Sequence, residues 1–288
     1  MKERKNTMSN LHEKCMIVHL TISKWTARKY DQKATESVTS QFNTKTDAGR
    51  FNKILIDHEA LKRIDRFALE ARNRHNAMSL PWNDGGDRIL PAELYMEYTR
   101  RIQEAKVKFE AEVDSFLSQY EALKKEARVK LNGLFNEDDY PSLSALRGKF
   151  GIEVEVMPMP KAEDFRVDLN KMEVEAIRTD IEARTNKRIN DAMKDAFGQL
   201  YEAAARIAER CKDADAIFRD SLIENLRELL AVLPCLYITN DPALAKAIEE
   251  ARPLAEVEPQ TLRDEPDTRA ETAKRADKLA RKLKGFIA

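Results

Sequence analysis

Two stretches of the chain carry apolar residues at the spacing of an amphipathic helix. The first stretch runs from Leu94 to Leu131 and covers 37 residues in ten steps of three or four. The second runs from Val174 to Ala214 and covers 40 residues in eleven steps. Mean steps of 3.7 and about 3.6 residues predict two long helices, each with one buried stripe. Because each stripe needs a partner, we expect a mainly α fold built on a long, antiparallel, coiled-coil-like helical hairpin.

Two short stretches alternate apolar and polar residues, which is the pattern of a strand with one buried face. They cover residues 18–22 and 152–156, and we expect a further short strand over residues 165–169. Because an isolated strand is not stable in water, we expect these strands to form a small β-sheet at one end of the hairpin. A helix over residues 57–79 and a loop over residues 80–90 would lead into the first long helix.

The C-terminal part of the chain differs in composition from the rest. Residues 252–267 carry three prolines and several acidic residues, which is typical of a linker. Residues 268–288 resume helical spacing with few apolar residues, so we expect a mobile helix that becomes ordered when a partner binds. Before the linker, we predict a disordered N-terminal extension over residues 1–15 and a helical domain with a small sheet over residues 16–251.

Composition narrows the class of protein further. Charged residues make up 35% of the 288 residues, above the roughly 25% of an average globular chain, and only eight glycines argue against an all-β fold. The three cysteines are odd in number and lack a CxxC spacing, which favours a reducing compartment. No apolar run is long enough for a membrane span, so we expect a cytoplasmic protein without membrane association. Met1, Met8 and Met16 all stay open as its true start.

The sequence contains no recognisable catalytic motif. HExxH, GxSxG and the phosphate-binding GxxxxGK[ST] loop are all missing. His58 and His75 lie 17 residues apart on one predicted helix, so they cannot share a metal ion within it. We therefore predict a protein that is not an enzyme and that has no catalytic residue, no metal site and no cofactor.

The segment over residues 80–91 is the most site-like part of the sequence. Its two glycines allow positive φ angles and the close approach of another backbone. Its two aspartates are suitable ligands for a hard cation, and its tryptophan can stack on a base. Two carboxylates are few for a dedicated cation site, so a tight connection with a buried tryptophan is the other interpretation. The candidate residues are Trp82, Asp84, Gly85, Gly86 and Asp87.

Basic residues dominate the N-terminal part of a chain whose formal net charge is zero. Residues 1–80 hold 16 Lys and Arg against 9 Asp and Glu, and aromatic residues are interleaved with them. This combination suits single-stranded nucleic acids, whose bases stack while their phosphates pair with cations. The alternative for the basic residues is a solvated helical face, and for Phe42 and Phe51 we expect positions in the core. The predicted nucleic-acid contacts are Lys24, Arg28, Lys29, Arg50, Lys53, Arg63, Arg66, Arg72 and Arg74.

Six segments spread over roughly residues 16–210 form a distinctive set, although none is a catalytic signature. They are Met16 to Asp31, Asp47 to Lys53, Leu80 to Gly86, Leu131 to Phe135, Tyr140 to Ser142 and Asp164 to Val167. Together they resemble an uncharacterised family, domain of unknown function 3150.

That resemblance implies an origin more than an activity. Similar proteins occur in phages, prophages and mobile plasmids, where their genes often lie near a MoxR-type or cobaltochelatase-like AAA ATPase and a von Willebrand factor A protein. The resemblance implies a phage or mobile-element protein in the cytosol of a bacterial host, with such an ATPase as the candidate protein partner. We expect a non-catalytic interaction or adaptor protein. A nucleic-acid-binding accessory protein is the alternative, and an oligomer stays open.

Overall fold

The protein is mainly helical, with long helices and small antiparallel sheets, as the sequence predicts. The strand expected over residues 165–169 and the first ten residues of the expected N-terminal extension lie outside the described residues. The computed structural model describes residues 11–45, 47–164, 170–213, 219–236 and 241–287.

The two longest helices coincide with the two apolar ladders. The described α-helices are α1 Leu11–Lys14, α2 Gln32–Gln41, α3 Lys62–Ala77, α4 Tyr95–Leu131, α5 Leu143–Arg147, α6 Lys171–Lys212, α7 Ser221–Leu236, α8 Pro242–Ala255, α9 Pro259–Asp264 and α10 Pro266–Ile287. The strands are β1 Cys15–Ser23, β2 Arg28–Tyr30, β3 Asn52–Ile54, β4 Leu80–Pro81, β5 Asp87–Pro91 and β6 Gly151–Pro158. Short 3-10 turns cover His58–Leu61, Ala92–Leu94, Asn132–Leu134, Glu137–Asp139 and Ala162–Asp164.

The chain forms two compact units, each assembled from separated segments. Unit 1 comprises the described parts of residues 1–19, 75–99 and 155–288, and unit 2 comprises those of residues 20–74 and 100–154. The range that we predicted as one helical domain, residues 16–251, is therefore divided between the two units.

β1 is the strand predicted from the alternation that starts at Val18. It pairs antiparallel with β5, so that Met16 lies opposite Leu90 and Val18 lies opposite Arg88. The sheet has the strand order β4-β5-β1-β6, and β2 pairs antiparallel with β3 in a separate two-stranded sheet. Val18 and Leu20 are 0% and 3% exposed, as the alternation requires. The small antiparallel sheet is thus present and contains two strands, β4 and β5, that the sequence analysis missed.

In unit 1, α6 lies antiparallel along α10. Lys212 at the end of α6 pairs with Asp277 at 2.5 Å, whereas Phe197 stacks on Phe286 with ring centroids 4.8 Å apart. Small side chains line both helices and allow their backbones to approach closely. The buried alanines are Ala192, Ala196, Ala204 and Ala208 on α6 and Ala273, Ala276 and Ala280 on α10.

The predicted coiled-coil-like hairpin of α4 with α6 is not confirmed. Each helix does bury its stripe, since Phe109 on α4 and Leu200 on α6 are only 1% and 0% exposed. However, α4 from Arg100 onward belongs to unit 2, whereas α6 belongs to unit 1 and has α10 as its long antiparallel neighbour. Apolar spacing shows which face of a helix is buried, but it does not show which element covers that face.

The region predicted as a linker, residues 252–267, contains the end of α8, all of α9 and the start of α10. Leu254 and Leu262 are buried there. Pro259 and Pro266 occupy first positions of helices, where a missing backbone N–H costs nothing. α10 carries a buried apolar face, while the mobility that we expected of residues 268–288 stays a prediction. None of the helices in the described part of the chain is long and apolar enough to cross a membrane.

Unit 2 has an aromatic core on the buried stripe of α4. The Trp25 ring lies 6.3 Å from Phe116 and 6.0 Å from Tyr120, centroid to centroid, and Phe116 lies 5.9 Å from Phe150. The Tyr120 hydroxyl donates to the Pro141 carbonyl at 3.1 Å. These contacts connect the segment between β1 and β2 with α4 and with the residues on either side of α5.

Candidate functional site

Three of the basic residues predicted to contact nucleic acid are in ion pairs with carboxylates of unit 2. The pairs are Lys24 with Asp65 at 2.6 Å, Arg63 with Glu112 at 2.7 Å and Arg74 with Glu70 at 2.5 Å. Their charges are compensated within the fold, as the alternative interpretation of a solvated helical face anticipated. These side chains are therefore weaker candidates for binding an external anion.

Lys53 occupies the interior of unit 2 and is 5% exposed. Its ammonium lies 3.0 Å from the Asp31 carboxylate and 2.6 Å from that of Asp139, and it donates to the Leu134 carbonyl at 3.0 Å. Burial alone would lower the pKa of Lys53, but the hydrogen bonds to Asp139 and Asp31 outweigh it and raise this pKa. Lys53 is therefore a structural residue with three oxygen partners, not a surface contact.

The Lys53 cluster predicts a pH window of stability. A hydrogen bond from the Ala34 N–H and then the contact with Lys53 lower the pKa of Asp31 in the folded protein. The ionised Asp31 therefore stabilises the fold above pH 3.8, and this stabilisation is lost as the pH falls through the pKa of the folded state. The pKa of Lys53 is raised in the folded protein, so the charged Lys53 stabilises the fold below pH 10.5. This stabilisation is lost as the pH rises through the pKa of the folded state. Urea midpoints measured against pH should therefore fall below about pH 3.8 and above about pH 10.5. If the urea midpoint of an Asp31→Asn variant fell at low pH as much as that of the wild type, this assignment would be contradicted.

The remaining predicted cations are exposed. Arg28, Lys29 and Arg50 have no hydrogen-bond or ion-pair partner for their side chains among the residues that the structure describes. The Arg66 guanidinium lies 5.6 Å from the ring centre of the adjacent Phe67. Arg72 makes only a long 3.5 Å contact with the Leu20 carbonyl. The predicted basic residues thus fall into two sets, those paired with carboxylates and those whose charge is available to an external anion. Counting charges in the sequence cannot distinguish the two sets.

The site-like segment over residues 80–91 is a β-hairpin, so the prediction of a loop was wrong for most of its length. β4 and β5 pair, and the Trp82 N–H donates to the Asp87 carbonyl at 2.9 Å. Gly86 has a φ of +94°, which a side chain would strain. The Asn83 side-chain oxygen accepts from the backbone N–H groups of Gly85 and Asp87 at 2.9 and 3.2 Å. The glycines therefore serve the turn of the hairpin.

The two aspartates of this hairpin do not converge on a cation site. The Asp87 carboxylate lies 2.8 Å from Nδ1 of His19 and accepts from the Asn83 amide at 2.7 Å, whereas Asp84 is exposed. Within the described ranges, no cluster of three or more His, Cys, Asp or Glu residues has metal-binding geometry. Trp82 is 4% exposed and has the Arg188 guanidinium 5.0 Å from its ring centre. The tryptophan is thus a core anchor, as the second interpretation of this segment anticipated.

Exposed apolar side chains surround a groove beside α2 in unit 2, which we name the α2 groove. Phe42 is 69% exposed, Val38 44% and Phe51 37%, so the prediction of core positions for the two phenylalanines was wrong. The groove has a volume of about 360 Å³, and Arg50 and Thr35 also contribute to its lining. The phenylalanines are exposed because the buried face of α2 is made of the threonines Thr35 and Thr39.

The backbone of the α2 groove is held by hydrogen bonds from the buried Thr35. Its hydroxyl donates to the Asp31 carbonyl at 2.8 Å and accepts from the Phe51 N–H at 2.9 Å. The Asp31 N–H in turn donates to the Phe51 carbonyl at 3.0 Å. The groove is therefore a defined feature of the fold, with its exposed phenylalanine Phe51 fixed through its own backbone.

A second groove in unit 2 brings together residues from distant parts of the sequence, and we name it the Trp25 groove. It has a volume of about 340 Å³. Its lining includes Trp25, the predicted nucleic-acid contacts Arg28 and Lys29, and Lys149, which is not among the predicted contacts. Nothing in the local sequence connects Lys149 with β2, so only the fold could reveal this grouping.

None of the family models, curated proteins or solved structures compared with this chain matches it. The resemblance to domain of unknown function 3150 therefore stays a prediction from the six segments. The function has to be argued from the two grooves themselves.

Proposed function

We propose that the protein is a non-catalytic interaction protein whose α2 groove receives an apolar side chain of a protein partner. The observation that carries this proposal is the 69% exposure of Phe42 at a groove that Val38 and Phe51 also line. A cluster of exposed apolar side chains on a folded protein is typical of an interaction site. Arg50 lines the same groove without a partner in the described part of the chain, so a carboxylate beside the apolar side chain would complement it.

The family resemblance adds a candidate identity for that partner. We propose a MoxR-type AAA ATPase of the same phage or mobile element, acting in the cytosol of a bacterial host. This part of the proposal rests on the resemblance alone. The surface argument stands independently of it, because it requires only a partner with an apolar side chain next to an acidic one.

Substitution of Phe42 tests the interaction proposal. We expect Phe42→Ser to weaken binding of the partner at least about tenfold, because truncating a central aromatic contact typically costs more than 1 kcal/mol. The measurement is affinity capture from the native host, followed by titration of the purified partner by calorimetry. The matched control is Val129→Ser, because Val129 is 82% exposed in the same unit and lies outside the groove. Equal retention of the same protein by all three forms would contradict the proposal.

A nucleic-acid-binding accessory protein is the second proposed function. It is favoured by the exposed cations Arg28, Lys29 and Arg50, whose charges no described carboxylate compensates. Contacts between such cations and phosphates supply nearly all of the non-specific affinity of proteins for nucleic acids.

A further inference from the structure

We propose that the Trp25 groove binds one nucleotide of a single-stranded nucleic acid, with the base against Trp25 and the phosphates on Arg28, Lys29 and Lys149. This inference rests on the second proposed function and assigns it to a specific place in unit 2. The groove is distinct from the α2 groove, with which it shares no lining residue.

Three basic residues line the Trp25 groove. Arg28 and Lys29 are consecutive residues of β2, whereas Lys149 follows α5 more than a hundred residues later. All three side chains are exposed, and none has a partner among the side chains that the structure describes. Neighbouring cations such as Lys24 and Arg63 do have carboxylate partners. An anion bound in the groove would have these uncompensated positive charges as partners.

Trp25 lies on the core and is also part of the lining of the groove. The Trp25 ring rests on the core side chains Phe116 and Tyr120, at centroid distances of 6.3 and 6.0 Å, and is only partly buried. A ring held in place by the core loses little freedom when a base stacks on it. Base–aromatic stacking tolerates any base, so this site predicts little sequence preference.

Positive charge exceeds negative charge along the lining of the groove. Two carboxylates, Asp138 and Asp139, belong to it. Asp139 is 10% exposed and lies 2.6 Å from the Lys53 ammonium, so its charge is already compensated. Asp138 is exposed and would repel a phosphate. The groove thus offers three free cations against one free carboxylate. Removing the charge of Asp138 should therefore strengthen the binding of an anion, whereas removing a cation should weaken it.

The size of the Trp25 groove also limits what it can hold. At about 340 Å³ the groove lies near the lower end of the roughly 300–1,000 Å³ typical of small-molecule sites. That volume suits a single nucleotide unit. A base inside a duplex is already paired and stacked, so it cannot lie against Trp25 without unpairing. The geometry therefore points to single strands rather than duplexes.

The experiment measures fluorescence anisotropy of a labelled single-stranded oligothymidylate with the full chain, over a range of salt concentrations from about 50 mM. We expect Lys29→Gln and Lys149→Gln each to weaken binding and to reduce the slope of log affinity against log salt by about 0.7. Trp25→Leu should lower the affinity about 5- to 150-fold. Asp138→Asn should raise it, because it removes the opposing charge. Lys45→Gln, at an exposed cation outside the groove, is the matched control and should leave the affinity nearly unchanged.

The possible results separate this inference from the proposed function. If the oligonucleotide binds but only Arg50→Gln weakens it, the groove inference is overturned while nucleic-acid binding stands. If neither single strands nor duplexes bind at about 50 mM salt, both fail. Equal affinity for a duplex of the same length would overturn the stacking of a base on Trp25. Because Lys29, Lys149 and Asp138 are exposed, their variants keep the test valid even if Trp25→Leu disturbs the core.

Discussion

Replacing Lys53 with methionine is expected to lower the free energy of unfolding by about 3–5 kcal/mol. The Lys53 side chain is 5% exposed, and its ammonium contacts two carboxylates and one carbonyl oxygen in unit 2. Methionine preserves most of the volume but removes the positive charge and all three donors. Asp31 and Asp139 would then stay close together, 14% and 10% exposed, without their counter-ion. Equilibrium urea unfolding followed by circular dichroism measures the loss.

Two comparisons make the Lys53 result interpretable. Lys45→Met changes the same residue type at an exposed position and should alter the unfolding free energy by no more than about 0.5 kcal/mol. Adding Asp139→Asn to the Lys53→Met variant should restore part of the loss, because it removes one of the uncompensated carboxylates. A Lys53→Met variant as stable as the wild type would show that the buried cluster does not hold unit 2 together.

The second large effect is expected at Leu283 on α10. Leu283 is 0% exposed, so Leu283→Ala should cost about 2–5 kcal/mol through lost burial and the cavity that remains. Its exposed neighbour provides the control, since Lys284→Ala removes a side chain of the same helix without opening a cavity and should cost less than about 0.5 kcal/mol. Thermal and urea unfolding of both variants measure the difference.

Hydrogen exchange adds an independent measurement on α10. Because α10 packs along α6, the backbone amides of Ala273, Ala276 and Ala280 should be protected in the native protein and lose protection in the Leu283→Ala variant. Unprotected amides throughout residues 266–287, together with a neutral Leu283→Ala, would favour the mobile helix that the sequence suggested.

The long helices were predictable because their signals are local and repeated. The first apolar ladder ends at Leu131, where α4 ends, and Asn132 then adopts a positive φ of 45°. α6 begins at Lys171, three residues before the first residue of the second ladder, with the Asn170 side chain accepting from the Glu173 N–H at 2.9 Å. The neighbours of these helices were not predictable, because the alanines that let α6 and α10 approach closely give a weak apolar signal in the sequence.

The candidate sites depend on contacts between distant parts of the chain. Lys29 and Lys53 are both basic residues near aromatic ones, and they are direct partners in the register of β2 with β3. One is exposed and the other is buried between carboxylates, which no local pattern distinguishes. Phe42 was assigned to the core because most phenylalanines are buried, whereas Thr35 and Thr39 form the buried face of α2. Hydrophobicity alone therefore misplaced the surface on which the proposed function depends.

The pairing of α6 with α10 has a consequence for synthesis on the ribosome. The last residue of α6 precedes the last residue of α10 by 75 positions. At about 5–20 residues per second, the apolar stripe of α6 emerges roughly 4–15 s before the helix that covers it is complete. During that interval the nascent chain exposes a continuous apolar surface, so we expect ribosome-associated chaperones to bind it.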